Sequence, residues 1–191
     1  MKTRILLSLA WLTWLGCQPK EDQSDSLFSL VSSEYSGVDF RNDLVYTEQV
    51  NPYTFRNFYN GAGVAIGDIN QDGLPDIFLA GNQTSNRLYL NQGNLKFKDI
   101  TNDAGLNSSG IWSTGVSMAD VNGDGLLDIY VCKSGPKGGE RRHNELFINN
   151  GDLTFSEQSK KYGLAESGLS QHAVFFDYDK DGDLDMYLLS N

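Results

Sequence analysis

An all-β protein built from repeated units of four antiparallel strands is predicted by three features of the sequence. An acidic motif of nine residues occurs three times, beginning at Asp68, Asp120 and Asp177, and these starting points are 52 and 57 residues apart. A longer segment also recurs, because residues 86–106 match residues 144–164 over 21 positions without a gap. Aromatic residues make up 12% of the chain, and its 20 glycines suit a β protein with many turns. A repeat period of about 50 residues is typical of the blades of a β-propeller.

Each repeat is predicted to contain four strands, with the acidic motif between the first and the second. Small and larger residues alternate just before the motif, which indicates a strand that packs closely against a neighbour. Apolar, β-prone residues follow it, and glycine and asparagine stand where a hairpin between the third and fourth strands needs positive φ. The predicted strands are residues 63–67, 76–80, 87–90 and 95–100 in the first repeat, 115–119, 128–132, 145–148 and 153–157 in the second, and 185–189 in the third.

The predicted domain organisation consists of an N-terminal strand segment and three repeats, at residues 27–60, 61–107, 108–165 and, as a partial unit, 166–191. A closed propeller needs about four to eight blades, whereas this sequence supplies two whole blades and half of a third. We therefore expect the chain to be an N-terminal fragment of a longer protein. Residues 28–38 loosely match residues 97–106, which predicts a strand there and the hypothesis that it closes the ring by joining the last blade.

The repeated motif has the pattern of a calcium-binding loop. Oxygen-bearing side chains occupy positions 1, 3, 5 and 9, glycine occupies position 6, and the backbone carbonyl of position 7 can join them. Alternate positions of a tightly curled loop point inward, and calcium takes about six to eight hard oxygens, whereas magnesium retains its waters. Glycine permits the backbone angles of the curl. The predicted ligands are Asp68, Asn70, Asp72, Leu74 (carbonyl) and Asp76; Asp120, Asn122, Asp124, Leu126 (carbonyl) and Asp128; and Asp177, Asp179, Asp181, Asp183 (carbonyl) and Asp185.

Acidic turns without a metal are one alternative interpretation of the motif, and an EF-hand is another. The acidic ninth position shared by all three copies favours metal binding over simple turns. An EF-hand needs a glutamate at position 12 and flanking helices, but position 12 is Leu79, Val131 or Leu188 and the flanks are predicted strands. The sequence therefore predicts up to three structural calcium sites outside the EF-hand class. The third motif carries the most negative charge and is expected to bind calcium most tightly.

The N-terminus has the features of an export signal. Lys2 and Arg4 precede the apolar residues 5–15, a stretch of eleven residues that is too short to span a bilayer as a helix. Residues 1–16 are therefore predicted to be a signal peptide.

The end of this segment resembles a bacterial lipobox, although Trp14 stands where an aliphatic residue is usual. Cys17 would then be lipidated, and residues 17–26, which are polar, would be a flexible tether to a membrane. Ordinary signal cleavage nearby is the alternative. The only other cysteine is Cys132, so a disulfide framework is not expected and Cys132 is predicted to be a small buried hydrophobe. We expect an exported protein that is anchored at the bacterial outer membrane or cell surface.

The net charge of −10 comes largely from the repeated motifs, which contain eleven carboxylates. Three bound calcium ions would offset six of these charges. The sequence contains no basic stripe beyond the short run at residues 137–142, which argues against nucleic-acid binding.

The segment Gly-Ala-Gly-Val-Ala-Ile-Gly-Asp at residues 61–68, the acidic motif and the segment Asn-Arg-Leu-Tyr-Leu-Asn at residues 86–91 occur together. In this combination, residues 27–191 resemble the FG-GAP-like, or VCBS, repeats of the integrin-α N-terminal type of β-propeller. They are most similar to bacterial lipoproteins that end in an ASPIC/UnbV domain and are related to the cartilage acidic protein group, although the ASPIC/UnbV part is not in this chain. The resemblance implies calcium in the loop between the first two strands of a blade, in a structural role away from the face that binds partners.

The function expected from these features is that of a calcium-stabilised, non-catalytic scaffold that binds a protein or a glycan. The alternative is a non-catalytic portion of a larger extracellular hydrolase or lyase. Only two histidines, His143 and His172, are available, and neither has a recognisable nucleophile or the spacing of a metal ligand. Catalysis by this segment is therefore not expected.

Overall fold

The computed structural model describes residues 27–106, 112–135 and 142–191. These residues contain a short helix, α1 (Ser33–Ser36), a 3₁₀ helix (Arg56–Tyr59) and ten strands. The strands are β1 (Val64–Gly67), β2 (Asp76–Leu79), β3 (Arg87–Asn91), β4 (Phe97–Asp99), β5 (Ser113–Ala119), β6 (Asp128–Lys133), β7 (Glu145–Asn149), β8 (Phe155–Glu157), β9 (Ser170–Phe176) and β10 (Asp185–Ser190).

The strands form three antiparallel sheets in chain order, namely β1-β2-β3-β4, β5-β6-β7-β8 and the pair β9-β10. Each acidic motif forms the hairpin loop between the first two strands of its sheet, so that Gly67 pairs with Asp76 and Ala119 pairs with Asp128 at the base of the loop. The predicted all-β architecture of four-stranded antiparallel blades is confirmed. The two complete sheets and the partial sheet are consistent with consecutive blades of a propeller.

Two predicted strands begin later than expected. β4 was expected from residue 95 and β8 from residue 153, but they begin at Phe97 and Phe155. Leu95 has φ 57° and Leu153 has φ 67°, and a left-handed backbone cannot continue an extended strand. The turn between the third and fourth strands therefore occupies residues 92–96 and 150–154, which is one residue more than the predicted turns at residues 91–94 and 149–152.

Two apolar layers hold successive sheets face to face. Phe78 and Leu88 of the first sheet pack with Ile129 and Phe147 of the second. The other face of the second sheet packs Tyr130, Cys132 and Leu146 against Ala173 of the third, and against Phe175 and Met186 as well. Cys132 is buried and forms no disulfide, as predicted, and burial raises the pKa of its thiol to about 12.

The first strands of successive sheets lie side by side, as the small residues predicted. A Cβ atom added at Gly63 would lie 2.7 Å from the carbonyl oxygen of Thr114 and 2.8 Å from the amide nitrogen of Val116. Gly115 approaches the backbone of His172 in the same way. Glycine is required here because any side chain would push the two inner strands apart.

The outer face of the third sheet differs from its counterparts in the first two. Phe78 and Tyr130 are 0% and 1% exposed because the next sheet covers them, whereas Tyr187, at the same position of β10, is 65% exposed. Leu189 is 53% exposed, and its counterpart Cys132 is buried. Among the described residues, no sheet covers this face.

No strand forms in residues 28–38, where one was predicted to pair with the last blade. Contacts divide the chain into Met1–Leu30 and Val31–Asn191. The described end of the first unit, residues 27–30, contains no strand, and in the second unit Ser33–Ser36 forms helix α1. Ser32 caps this helix by accepting a hydrogen bond from the amide of Tyr35, and Gly37 ends it with φ 77°. Ring closure by this segment stays a prediction.

Residues 31–60 are the N-terminal segment of the second unit. Near its start, Tyr35 donates to the carbonyl of Asn94 in the β3–β4 turn, at the same end as the acidic loop. Residues 42–59 pack at the end opposite the acidic loops. The Asn42 amide donates to Asn82 Oδ1 over 2.7 Å, and Phe58 stacks near Trp112 with ring centroids 5.6 Å apart. Phe58 and Trp112 are buried, while Tyr59 is exposed.

The predicted signal peptide (residues 1–16), Cys17 and the tether (residues 17–26) lie outside the described residues, as does the predicted boundary between residues 107 and 108. Among the helices that the structure describes, none is both long and apolar enough to cross a membrane.

Candidate metal centre

The three acidic loops share one backbone conformation. The glycine at position 6 has φ 83° at Gly73, 89° at Gly125 and 98° at Gly182, which confirms its predicted role in the curl. Position 4 is also left-handed, at Gln71 with φ 61° and Lys180 with φ 66°. The residue types at position 4 do not form a pattern, so the sequence did not reveal this second bend.

The carboxylate at position 1 lies inside the curl and accepts hydrogen bonds from backbone amides of the loop. Asp68 accepts hydrogen bonds from the amides of Asp72 at 3.2 Å and Gly73 at 2.8 Å. Asp120 and Asp177 accept the corresponding bond from the glycine at position 6, at 2.8 Å and 3.3 Å. The loop is therefore wound around its first carboxylate, with the acidic oxygens on the inner side.

In the first two loops, the side chains at positions 3 and 5 are hydrogen-bonded to each other. The Asn70 side-chain amide donates to Asp72 Oδ2 over 2.9 Å, and in the second loop Asn122 donates to Asp124 over 2.8 Å. The other Asp72 oxygen accepts the amide of Leu74 at 2.8 Å, and Leu126 and Asp183 donate to their loops' position-5 carboxylates in the same way. The residues whose carbonyls were predicted as ligands, Leu74, Leu126 and Asp183, therefore each donate a backbone hydrogen bond to the carboxylate at position 5.

The carboxylate at position 9 has a role that the sequence did not reveal. Asp76 is fully buried, and it accepts the amide of Ile69 at 3.0 Å on one oxygen and the amide of Asn91 at 2.7 Å on the other. Asp128 repeats this with Val121 at 3.0 Å and Asn149 at 2.8 Å. In the first two sheets this residue joins the acidic loop to the end of the third strand.

Burial raises the pKa of Asp76 and Asp128, although their amide hydrogen bonds act in the opposite direction. Each carboxylate oxygen has two lone pairs, so these amide bonds leave acceptor capacity for a cation. A nearby positive charge would favour the ionised form of both groups.

The third loop brings three carboxylates together most directly. Oxygens of Asp177, Asp179 and Asp185 lie within 4.8 Å of one another, and no other such group of three His, Cys, Asp or Glu side chains occurs among the described residues. Asp181, predicted to be a fourth ligand, is outside this group. The pKa of Asp183 is raised by a hydrogen bond to Asp181 and by the negative charge of that neighbour. Crowded, exposed carboxylates are a suitable donor set for a hard divalent cation.

Comparison with known proteins agrees with these repeats. A model of the FG-GAP-like repeat family matches residues 68–131 and 137–188. Cartilage acidic protein 1 of Xenopus tropicalis is 29% identical over 143 residues, which cover 72% of this chain and 20% of that protein. The Homo sapiens protein of the same name is 27% identical over 152 residues, with 79% and 22% covered. The T-cell immunomodulatory protein homolog of Plasmodium yoelii yoelii is 27% identical over 160 residues, with 73% and 22% covered.

The chain spans about a fifth of the length of these curated relatives, and its similarity to them is distant. The family match, in contrast, covers more than half of the chain and includes all three acidic loops. The chain therefore belongs to the FG-GAP-like repeat family.

Proposed function

We propose that this chain is a calcium-stabilised, non-catalytic propeller scaffold, with one ion in each of its three acidic loops. The observation that carries the proposal is the convergence of Asp177, Asp179 and Asp185 in the third loop. The first two loops support it, since they share the left-handed glycine and the inward carboxylate at position 1.

The ions would act on structure, not on chemistry. A cation in a loop offsets the repulsion among carboxylates that lie at the tip of a hairpin, and it holds positions 1 to 9 in the curl. In the first two sheets the position-9 carboxylates, Asp76 and Asp128, also bind the ends of β3 and β7. An ion there would stabilise three strands of a blade instead of two.

The stabilisation that calcium would supply can be bounded. Extracellular modules bind calcium with dissociation constants of about 10⁻⁴–10⁻³ M. At millimolar calcium, mass action then contributes ~0.4–1.4 kcal/mol for each site. Three such sites would amount to a substantial share of the ~5–15 kcal/mol that holds a typical domain folded.

Terbium luminescence tests the proposal at the third loop. Tyr178 follows the first ligand of this loop, whereas the same position is Ile69 or Val121 in the other two, so emission excited through Tyr178 reports on the third loop. We expect a saturable signal that calcium displaces at about 10⁻⁴–10⁻³ M and that Asp179→Ala abolishes. Asp152→Ala, which removes an exposed carboxylate from the β7–β8 turn, is the matched control and should leave the titration unchanged. An Asp179→Ala protein with the parent's titration would refute the site.

We also propose that the protein is exported and lipid-anchored in the envelope of a bacterium, among the lipoproteins that carry an ASPIC/UnbV domain. The charged and apolar pattern of residues 1–16 and the position of Cys17 support this. Cys17→Ser is expected to move the protein from the membrane fraction to the soluble exported fraction, and to abolish labelling by a palmitate analogue. Cys132→Ser, at the buried cysteine, is the control for the loss of a thiol. Unchanged membrane fractionation and labelling of Cys17→Ser would contradict the anchor.

A protein or glycan partner is proposed to bind at the end of the sheets opposite the acidic loops. Gly135 follows β6 and Leu169 precedes β9, so both lie at that end, where they line a cavity of about 850 Å³. Gln49, Arg56 and Asn57 of the N-terminal segment supply its polar wall. Hydrogen-bonding groups around an open, partly apolar cavity are suited to a polar ligand, and the acidity of the chain argues against nucleic acid.

A further inference from the structure

The first two acidic loops are linked to each other by hydrogen bonds that cross between sheets. The side-chain amide of Asn149, the last residue of β7, donates to the carbonyl of Ile69, at position 2 of the first loop, over 2.9 Å. This bond is buried and joins residues that are 80 positions apart in the chain. It connects a loop of the first sheet to a strand of the second.

Asn149 also contacts the second loop, through both its backbone and its side chain. Its amide N–H donates to Asp128 Oδ1 at 2.8 Å, and its side chain donates to the carbonyl of Leu127 at 3.2 Å. The peptide groups of Ile69 complete the path, because the Ile69 amide donates to Asp76 Oδ2 at 3.0 Å. A continuous chain of hydrogen bonds therefore runs from the position-9 carboxylate of one loop to that of the next.

A second link runs over the surface of the two loops. The side chain of Gln71, at position 4 of the first loop, donates to the carbonyl of Gly125, at position 6 of the second, over 2.7 Å. Gly125 directly precedes Leu126, whose carbonyl is the predicted ligand. Position 4 of the second loop is Gly123, which has no side chain with which to extend the same link to the third loop.

We propose that the first and second loops take up calcium as a coupled pair, with Asn149 and Gln71 as the positioning residues that connect them. This inference rests on the proposed calcium function. An ion in the first loop orders the Ile69 peptide and Gln71, and these hold groups of the second loop close to their ion-binding positions. The second ion then meets a loop that is already ordered, and its affinity rises. By reciprocity, the second ion strengthens binding of the first by the same factor.

Calorimetric titration with calcium alone tests the coupling in protein whose third loop is silenced by Asp179→Ala. The affinity of the first loop is measured with the second loop intact and with it disabled by Asp124→Ala. We expect Asp124→Ala to weaken calcium binding at the first loop by about fivefold, the lower end of usual coupling factors. In a background that carries Asn149→Ala and Gln71→Ala, the same Asp124→Ala change should leave the first loop's affinity unaltered.

Asn91→Ala supplies the matched control. Asn91 occupies the position of Asn149 in the first sheet, and it makes the equivalent local bonds, from its N–H to Asp76 and from its side chain to the carbonyl of Pro75. No bond from Asn91 to a second acidic loop is present among the described residues, so Asn91→Ala should preserve the fivefold effect of Asp124→Ala.

The outcomes separate the two proposals. Calcium binding at both loops without any effect of Asp124→Ala on the first loop would overturn the coupling and leave the calcium function in place. An equal effect in the Asn149→Ala, Gln71→Ala background would also overturn it. The absence of binding at either loop would refute the calcium function of these loops, and the coupling with it.

Discussion

Replacement of Asp128 by alanine is expected to destabilise the protein by about 3 kcal/mol, both with calcium and without it. Asp128 is 1% exposed, and its two oxygens accept the amides of Val121 and Asn149. Each buried donor that loses its acceptor costs about 1–3 kcal/mol, and this loss does not depend on a bound ion. Urea unfolding in calcium and in excess EGTA measures the effect.

The comparison variant is Asp124→Ala, in the same loop. Asp124 is exposed and its carboxylate bonds only within the loop, so its loss should remove the calcium-dependent stabilisation of ~0.4–1.4 kcal/mol and little else. The parent should also melt at a lower temperature in EGTA. If Asp128→Ala lowered stability only in calcium, the position-9 carboxylate would be an ion ligand and would not stabilise the fold through its amide hydrogen bonds.

Replacement of Lys133 by methionine is expected to cost about 3–5 kcal/mol of folding stability. Lys133 Nζ lies 2.6 Å from Glu145 Oε2, and the two side chains are 0% and 2% exposed. They belong to the neighbouring strands β6 and β7. Removal of the lysine takes away the cation that faces the buried Glu145 carboxylate, and loss of one partner of a buried ion pair is strongly destabilising. Chemical denaturation of Lys133→Met against the parent measures the change.

Two controls separate the effect of charge from that of packing. The double variant Lys133→Met, Glu145→Leu removes both charges and should regain most of the lost stability, because an apolar pair of similar volume often replaces a buried ion pair without net loss. Arg41→Ala breaks the exposed pair with Asp43 and should change stability by less than ~1 kcal/mol. A double variant as unstable as Lys133→Met would show that packing, not the broken ion pair, sets the loss.

The strand positions and the acidic loops could be predicted because their signals are local. Alternation of small and large residues located β1 and β5, and a glycine at position 6 marked each curl within nine residues. A predicted strand did not form where a segment resembled one part of a repeat but was not preceded by the first three strands of that repeat. Residues 28–38 match a fourth strand and its turn, yet only the turn forms, and Gly37 has the φ of 77° that Gly105 has at the corresponding place.

Local pattern also could not distinguish among the carboxylates of a loop. Asp72 and Asp76 are both aspartates of one motif, but Asp72 is exposed and Asp76 is buried beneath the loop. The difference arises because Asp76 begins β2 and faces the end of β3. The sequence likewise contained no sign that Lys133 and Glu145 would be buried together.

The antiparallel blades of this protein, with an acidic, curled loop at the tip of each first hairpin, could be predicted from the order of its amino acids. The alternation of residue types in strands and the residues that form turns are features of a few neighbouring positions, so they can be recognised without the tertiary structure. The packing of the folded chain, in contrast, sets which carboxylates connect strands and brings Asn149 into contact with Ile69 in the neighbouring sheet. Those contacts depend on how two sheets stack. Stacking brings together residues that are far apart in the chain, and no local pattern in the sequence indicates such a contact.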